Sequence, residues 1–145
     1  MKIHHTLRTV FWVFAFWLLA ILAYLRFFQP AFLSYSDLPL KVEGPARPGE
    51  AVKLIVVRCN SSDRPQSYEV SRWFKCVGND QLPAVLPAGK VPPIEPGCNP
   101  MRSDLNVVPI GTKPGWCQVG GFGIVKGTLR TIEVPWYSEW FEVLP

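Results

Sequence analysis

No proline precedes Pro30, no cysteine precedes Cys59, and no histidine follows His5. Each absence excludes something. A proline-free N-terminal stretch can run as one unbroken helix. With both histidines at the N-terminus, the remaining chain lacks the base that Ser-His-Asp and Cys-His nucleophile schemes require. Cys59, Cys76, Cys98 and Cys117 lie 17, 22 and 19 residues apart, so there is no Cys-x-x-Cys pair for thiol redox work and no close pair for zinc. Basic residues form no cluster: from Leu38 onward twelve Lys/Arg stand singly among ten Asp/Glu, which excludes the stripe that neutralises phosphates in nucleic-acid binders. The glycine-rich Gly120-Gly121-Phe122-Gly123 sits in a strand-like segment and not at a strand-to-helix turn, so it reads as a bulge or a close strand approach and not as a phosphate loop. The expectation is a chain with no metal, no cofactor, no catalytic residue and no enzymatic activity.

What is present begins with a run free of charge. Val10–Leu25 (VFWVFAFWLLAILAYL) carries no strong polar group, and continuing through Arg26 to Phe28 gives 19 residues. At about 1.5 Å per residue this reaches roughly 28 Å, close to the thickness of a bilayer core. Arg26 can reach headgroups by running its stem along the helix. Trp12, Trp17, Tyr24, Phe27 and Phe28 suit a segment meeting both interfaces, and Pro30 marks its end. The bulky residues continue past the point where a signal peptide would present small ones for cleavage, so the segment reads as an uncleaved anchor in the lipid bilayer. Lys2 and Arg8 bias the N-terminus towards the cytoplasm. Cysteines confined to the other side point to a disulfide-permitting compartment.

Residues 29–37 read as a juxtamembrane linker and 38–145 as an extracytoplasmic β domain, after a short cytoplasmic tail at 1–9 and a transmembrane helix at 10–28. Strand signals fall at Leu38–Glu43, Ala51–Arg58, Ser67–Cys76 and Leu105–Ile110. A hairpin of Trp116–Val125 and Gly127–Val134 follows, and Ser138–Leu144 closes the domain. Leu82–Val91, interrupted by Pro83 and Pro87, is an edge strand or a loop. Val91–Pro100 (VPPIEPGCNP) has no regular structure on this reading. About seven short strands with regular turn signals indicate an all-β, antiparallel β-sandwich of the immunoglobulin-like or fibronectin-III-like kind.

All four cysteines are disulfide candidates. Position at the ends of successive strands favours Cys59–Cys76 with Cys98–Cys117. The alternative is Cys59–Cys117 as an intersheet bridge with Trp73 against it. Asn60-Ser61-Ser62 is a formal N-glycosylation sequon that matters only in a eukaryotic secretory route. Trp116, Phe122, Trp136, Tyr137, Trp140 and Phe141 crowd the last third of the chain. On one continuous strand Trp136 and Trp140 would share a face, and Tyr137 and Phe141 the other. This cluster is the candidate surface for an unidentified protein partner, with the Pro-rich segment Leu82–Pro100 as a second.

Gly97-Cys98, Asn106-Val107-Val108-Pro109-Ile110, Pro114-Gly115-Trp116-Cys117 and Ser138-Glu139-Trp140-Phe141-Glu142-Val143 together resemble small proteins encoded by tailed bacteriophages of Gram-negative hosts. Those have an N-terminal membrane segment and a Cys-containing β domain. The resemblance implies a single-pass protein of the host inner membrane with its β domain in the periplasm. The expected function is a membrane-anchored, non-enzymatic interaction module; the alternative is a structural or assembly subunit of a virion membrane or secretion-type complex.

Overall fold

The computed structural model describes residues 2–28, 30–78 and 84–145. Its elements are α1 (Lys2–Phe27), β1 (Leu33–Val42), β2 (Ala51–Asn60), β3 (Glu69–Cys76), β4 (Ala84–Lys90), β5 (Gly97–Val107), β6 (Gly115–Lys126), β7 (Thr131–Tyr137) and β8 (Phe141–Val143). The chain divides into two compact units, one of Met1–Pro30 with Lys126–Thr131 and one of Ala31–Val125 with Ile132–Pro145.

In the first unit, α1 contains the stretch Leu7–Phe27, 21 residues long and apolar enough to cross a membrane. At about 1.5 Å per residue it measures roughly 32 Å, which matches a hydrocarbon core. Its large apolar side chains, Phe11, Trp12, Phe14, Trp17 and Leu19 among them, are exposed. The helix begins at Lys2, so the stretch expected as a tail already has helical backbone. Within the same unit the Arg26 guanidinium donates to the Leu129 carbonyl at 3.5 Å.

The second unit is all antiparallel sheet apart from isolated bridges. One sheet has the order β1-β2-β5; the other runs β4-β3-β6-β7, with β8 also paired to β6. In β2 the alternation of Val52, Leu54 and Val56 (inward, buried) with Lys53 (outward, exposed) gives one face to the core. Cys117, Val119 and Val125 do the same for β6. Side chains of both sheets meet in one apolar cluster, where Phe74 and Phe141 pack edge to face at 6.1 Å and Tyr35 lies 6.5 Å from Trp136. The segment after β1 stitches the two ends of the domain together. Glu139 N–H donates to Leu40 O, Ala46 N–H to Glu142 O and Leu144 N–H to Ala46 O.

Several expectations need correction. β1 starts at Leu33, inside the stretch expected as a linker, and it pairs with β2 from Leu33↔Asn60. The irregularity between Ser36 and Lys41, where Asp37 takes φ 58°, splits that strand and obscures its signal. β5 is an 11-residue strand from Gly97, although Val91–Pro100 was expected to be irregular. Pro100 is tolerated there, opposite Val57, because β5 is the edge of its sheet. Leu82 and Pro83, which open the expected edge strand or loop, lie outside the described residues; the backbone of 84–90 forms β4, at the edge of the other sheet.

The disulfides are Cys59–Cys98 and Cys76–Cys117, neither of the pairings expected. Both join residues directly opposite one another on neighbouring strands, β2 with β5 and β3 with β6, with Cα atoms 4.0 Å apart. Each bond therefore staples one sheet, and none crosses between the sheets. Trp73 packs against neither Cys59 nor an intersheet bridge: it lies on the outer face of β3, opposite Gly120.

Candidate functional site

β6 is the spine of the candidate surface. Its glycines are read correctly as places of close approach. A Cβ on Gly121 would run into the main chain of Ser71, one on Gly123 into Leu33 and Tyr35, and one on Gly120 into the Trp73 ring. Glycine at position 120 thus lets Trp73 lie flat across the outer face of the sheet. Two residues along β3, the Lys75 ammonium sits 5.0 Å from the Trp73 ring centroid and 5.2 Å from that of Trp140. An ammonium between two indoles is held by both ring faces.

The six aromatic residues expected to form one cluster separate into two groups. Trp136 and Phe141 are 5% and 4% exposed and belong to the core, whereas Trp116, Phe122, Tyr137 and Trp140 are 57%, 37%, 42% and 43% exposed. The expected sharing of faces is overturned as well. Trp136 and Trp140 do not lie together, and Phe141 is buried while Tyr137 is not. The reason is one extra residue between β7 and β8. Ser138 N–H donates to Val119 O at 2.8 Å, and Phe141 stands opposite Cys117. Three steps along one strand therefore face two along the other, which is the count of a β-bulge, and the bulge turns the following residues over. Ser138, fully buried, secures the break: its hydroxyl accepts the Val119 N–H at 3.2 Å and its carbonyl accepts from Gln118 Nε2 at 2.7 Å.

The exposed four, with Trp73 and Lys75, lie on or beside the outer face of the second sheet. Sequence reasoning left Lys75 out of the site because a lone lysine in a strand carries no signal until its two tryptophan neighbours are known. Trp73 was noted only as a core residue.

A second feature lies inside the domain. A cavity of about 60 Å³ opens between the sheets, with apolar walls that include Leu40, Leu54 and Val70 and with two arginines, Arg58 and Arg72. Arg58 Nη1 donates to the Tyr68 hydroxyl at 2.8 Å, and Arg72 Nη1 donates to Leu105 O at 2.7 Å. Burial foremost, and then the neighbouring Tyr68, holds the Tyr35 hydroxyl well above the usual tyrosine range, with Arg58 acting in the opposite direction.

Asn60, the first residue of the sequon, is 3% exposed, and its amide is committed. Nδ2 donates to Arg64 O and Ile94 O at 2.8 and 2.9 Å, and Oδ1 accepts from Ser62 N–H and Oγ–H. It folds the 61–66 loop onto Ile94 and presents nothing to a glycosylating enzyme. Among the described residues no group of three His, Cys, Asp or Glu is placed to hold a metal ion.

No family model and no curated protein matches the chain. Among solved structures it is similar to the Pseudomonas fluorescens alkylpurine DNA glycosylase AlkC bound to DNA containing an abasic site analog. The identity is 17% and the TM-score 0.42, over 74% of this chain and 31% of that one. The chain thus spans less than a third of that protein's length. This neighbour is an enzyme, so the comparisons do not support the expectation that the present chain is not one. A likeness at this level carries no activity, substrate or site across.

Proposed function

We propose that the chain is a membrane-anchored interaction module, phage-encoded, whose β domain faces the periplasm and docks a protein partner through the outer face of its second sheet. α1 is the anchor, crossing the inner membrane with its N-terminus in the cytoplasm. The β domain is an immunoglobulin-like or fibronectin-III-like sandwich. In support, β1, β2 and β5 on one side and β3, β6 and β7 on the other correspond to strands A, B, E and C, F, G of that class, with β4 beside β3. The two disulfides suit an oxidising compartment.

One observation carries the reading: Trp116, Phe122, Tyr137 and Trp140 are exposed on or beside one sheet face, while their neighbours Trp136 and Phe141 fill the core. Aromatic residues of this kind concentrate binding energy at protein interfaces. The test is photo-crosslinking in intact cells, with a photoreactive residue placed at Tyr137 or, as the control, at Ser34 on the first sheet. A discrete adduct to one other protein from Tyr137, absent from Ser34 and abolished by Trp116→Ser with Trp140→Ser, is expected. Equal adducts from both positions, or none, would sink the proposal. A ladder of adducts between copies of the chain would replace it with an assembly subunit.

A further inference from the structure

The compact unit that contains α1 also contains the turn between β6 and β7, Lys126–Thr131. Gly127 N–H closes this turn by donating to Arg130 O at 2.9 Å. The charge of the unit is one-sided. Met1–Pro30 and Lys126–Thr131 hold Lys2, Arg8, Arg26, Lys126 and Arg130 and not one carboxylate; the acidic residue nearest the turn in sequence is Glu133, on β7. Leu129 is out of character at a hairpin tip, where Gly, Asn, Asp and Ser prevail, and it is 44% exposed. On a water-facing surface a lone exposed leucine needs no explanation. Its place supplies one here. The Arg26 guanidinium, one residue before the end of the apolar stretch Leu7–Phe27, lies 3.5 Å from the Leu129 carbonyl. The tip thus stands at the level where that stretch gives out. Tyr24, Phe27 and Phe28, all exposed, mark the same level, as aromatic residues do at a membrane–water interface.

We infer that the β6–β7 tip is a binding site for anionic phospholipid: Leu129 enters the boundary of the acyl region, and Arg26, Lys126 and Arg130 hold headgroup phosphates. The inference rests on α1 being the membrane anchor proposed above. A guanidinium carries five N–H donors, more than one carbonyl can take, and its fork matches phosphate oxygens. One leucine and a few basic residues bind a bilayer weakly when they act alone. Tethered beside the end of α1, they meet the headgroups at high effective concentration, so a weak contact suffices. Because β6 runs into the tip, the contact holds at the bilayer one end of the strand that carries Trp116 and Phe122.

The test reconstitutes the full chain in vesicles of phosphatidylcholine and phosphatidylglycerol in equal parts, and in vesicles of phosphatidylcholine alone. A photoreactive residue is placed at Leu129, at Leu19 within the anchor, or at Ile110, an exposed residue beyond the other end of β6. Leu19 should give lipid adducts in both vesicles and Ile110 only background. Leu129 should give lipid adducts well above Ile110, and several-fold more with phosphatidylglycerol than without. Lys126→Gln should lower the ratio of adduct to free chain at Leu129 by roughly five-fold, the worth of one charge at an anionic surface, and leave Leu19 unchanged. Lys126→Arg should restore it. Adducts from Leu19 with none above background from Leu129 would overturn the inference and leave the anchor standing. Equal yields from Leu129 in the two vesicles, or a yield indifferent to Lys126→Gln, would also overturn it. No lipid adducts from Leu19 would overturn the anchor, and the inference with it.

Discussion

The two disulfides differ in almost nothing except the side of the sheet on which they lie. Cys59–Cys98 closes a separation of 39 residues and Cys76–Cys117 one of 41, and both join directly opposed residues with Cα atoms 4.0 Å apart. Yet Cys98 is exposed on the outer face of the first sheet, while Cys117 is fully buried on the inner face of the second. Loop-closure entropy depends on length alone, so both should restrict the unfolded chain by about 4 kcal/mol. Any difference between them must therefore come from packing. The same contrast of inner and outer positions recurs through the domain, and it separates what holds the fold from what is free to act.

The largest effect should come from the buried staple. Cys76→Ala with Cys117→Ala should lose the loop term and also leave a void against Phe74 and Val119, about 1–2 kcal/mol beyond the loss in Cys59→Ala with Cys98→Ala. Urea unfolding of the full chain in detergent, followed by tryptophan fluorescence, would measure both. Equal losses would show that burial adds nothing to a cross-strand bridge here. Graded reduction followed by alkylation sharpens the point, since Cys59 and Cys98 should be labelled before Cys76 and Cys117.

Next in size is the pair on either side of the bulge. Phe141→Ala should cost about 3–5 kcal/mol, since it removes a ring packed on Phe74. Trp140→Ala, one residue away, should cost well under half of that and should instead abolish the crosslink from Tyr137. Comparable destabilisation by both would mean that Trp140 is part of the core after all.

Tyr35 offers a smaller test that depends on pH. Its folded pKa is raised, so in the window above the ordinary value near 10 the unfolded chain gives up a proton that the folded chain keeps. The stability from keeping Tyr35 neutral is fully present below pH 10. It falls above that, by up to about 1.4 kcal/mol per pH unit. Tyr35→Phe should flatten that part of the decline in urea midpoints measured between pH 9 and 11, and an unchanged slope would remove Tyr35 from the account.

Much of the fold was legible in the residues. The apolar run at 10–28, the β-branched alternation of Ala51–Arg58 and the glycines of Gly120–Gly123 each announce their structure through local chemistry. What escaped was non-local. Disulfide partners are set by which strands become neighbours, and β2 beside β5 places Cys59 opposite Cys98 although Cys76 is nearer in sequence. The strand through Pro100 was hidden because proline disqualifies a strand unless it is known to be an edge. The bulge at Ser138–Trp140 has no composition signal of its own, and one inserted residue was enough to reassign Trp136, Tyr137, Trp140 and Phe141 between core and surface. The cavity between the sheets escaped for the same reason: Arg58, Arg72 and Trp136, all on its wall, come from three strands that meet only in the folded domain.

The smallest expected effect lies wholly on the outer side. Lys75→Met keeps the length and the apolar stem of the side chain but removes the charge held between Trp73 and Trp140. At an exposed site such a contact contributes about 0.5–1 kcal/mol, so the urea midpoint should hardly move. The two rings should nevertheless lose their common anchor, and the indole resonances of Trp73 and Trp140 should shift while that of buried Trp136 stays in place. If Lys75→Met instead destabilises the domain as much as a core truncation does, the outer face is helping to hold the sheet together. The division between a staple inside and a working surface outside would then have to be redrawn at β3.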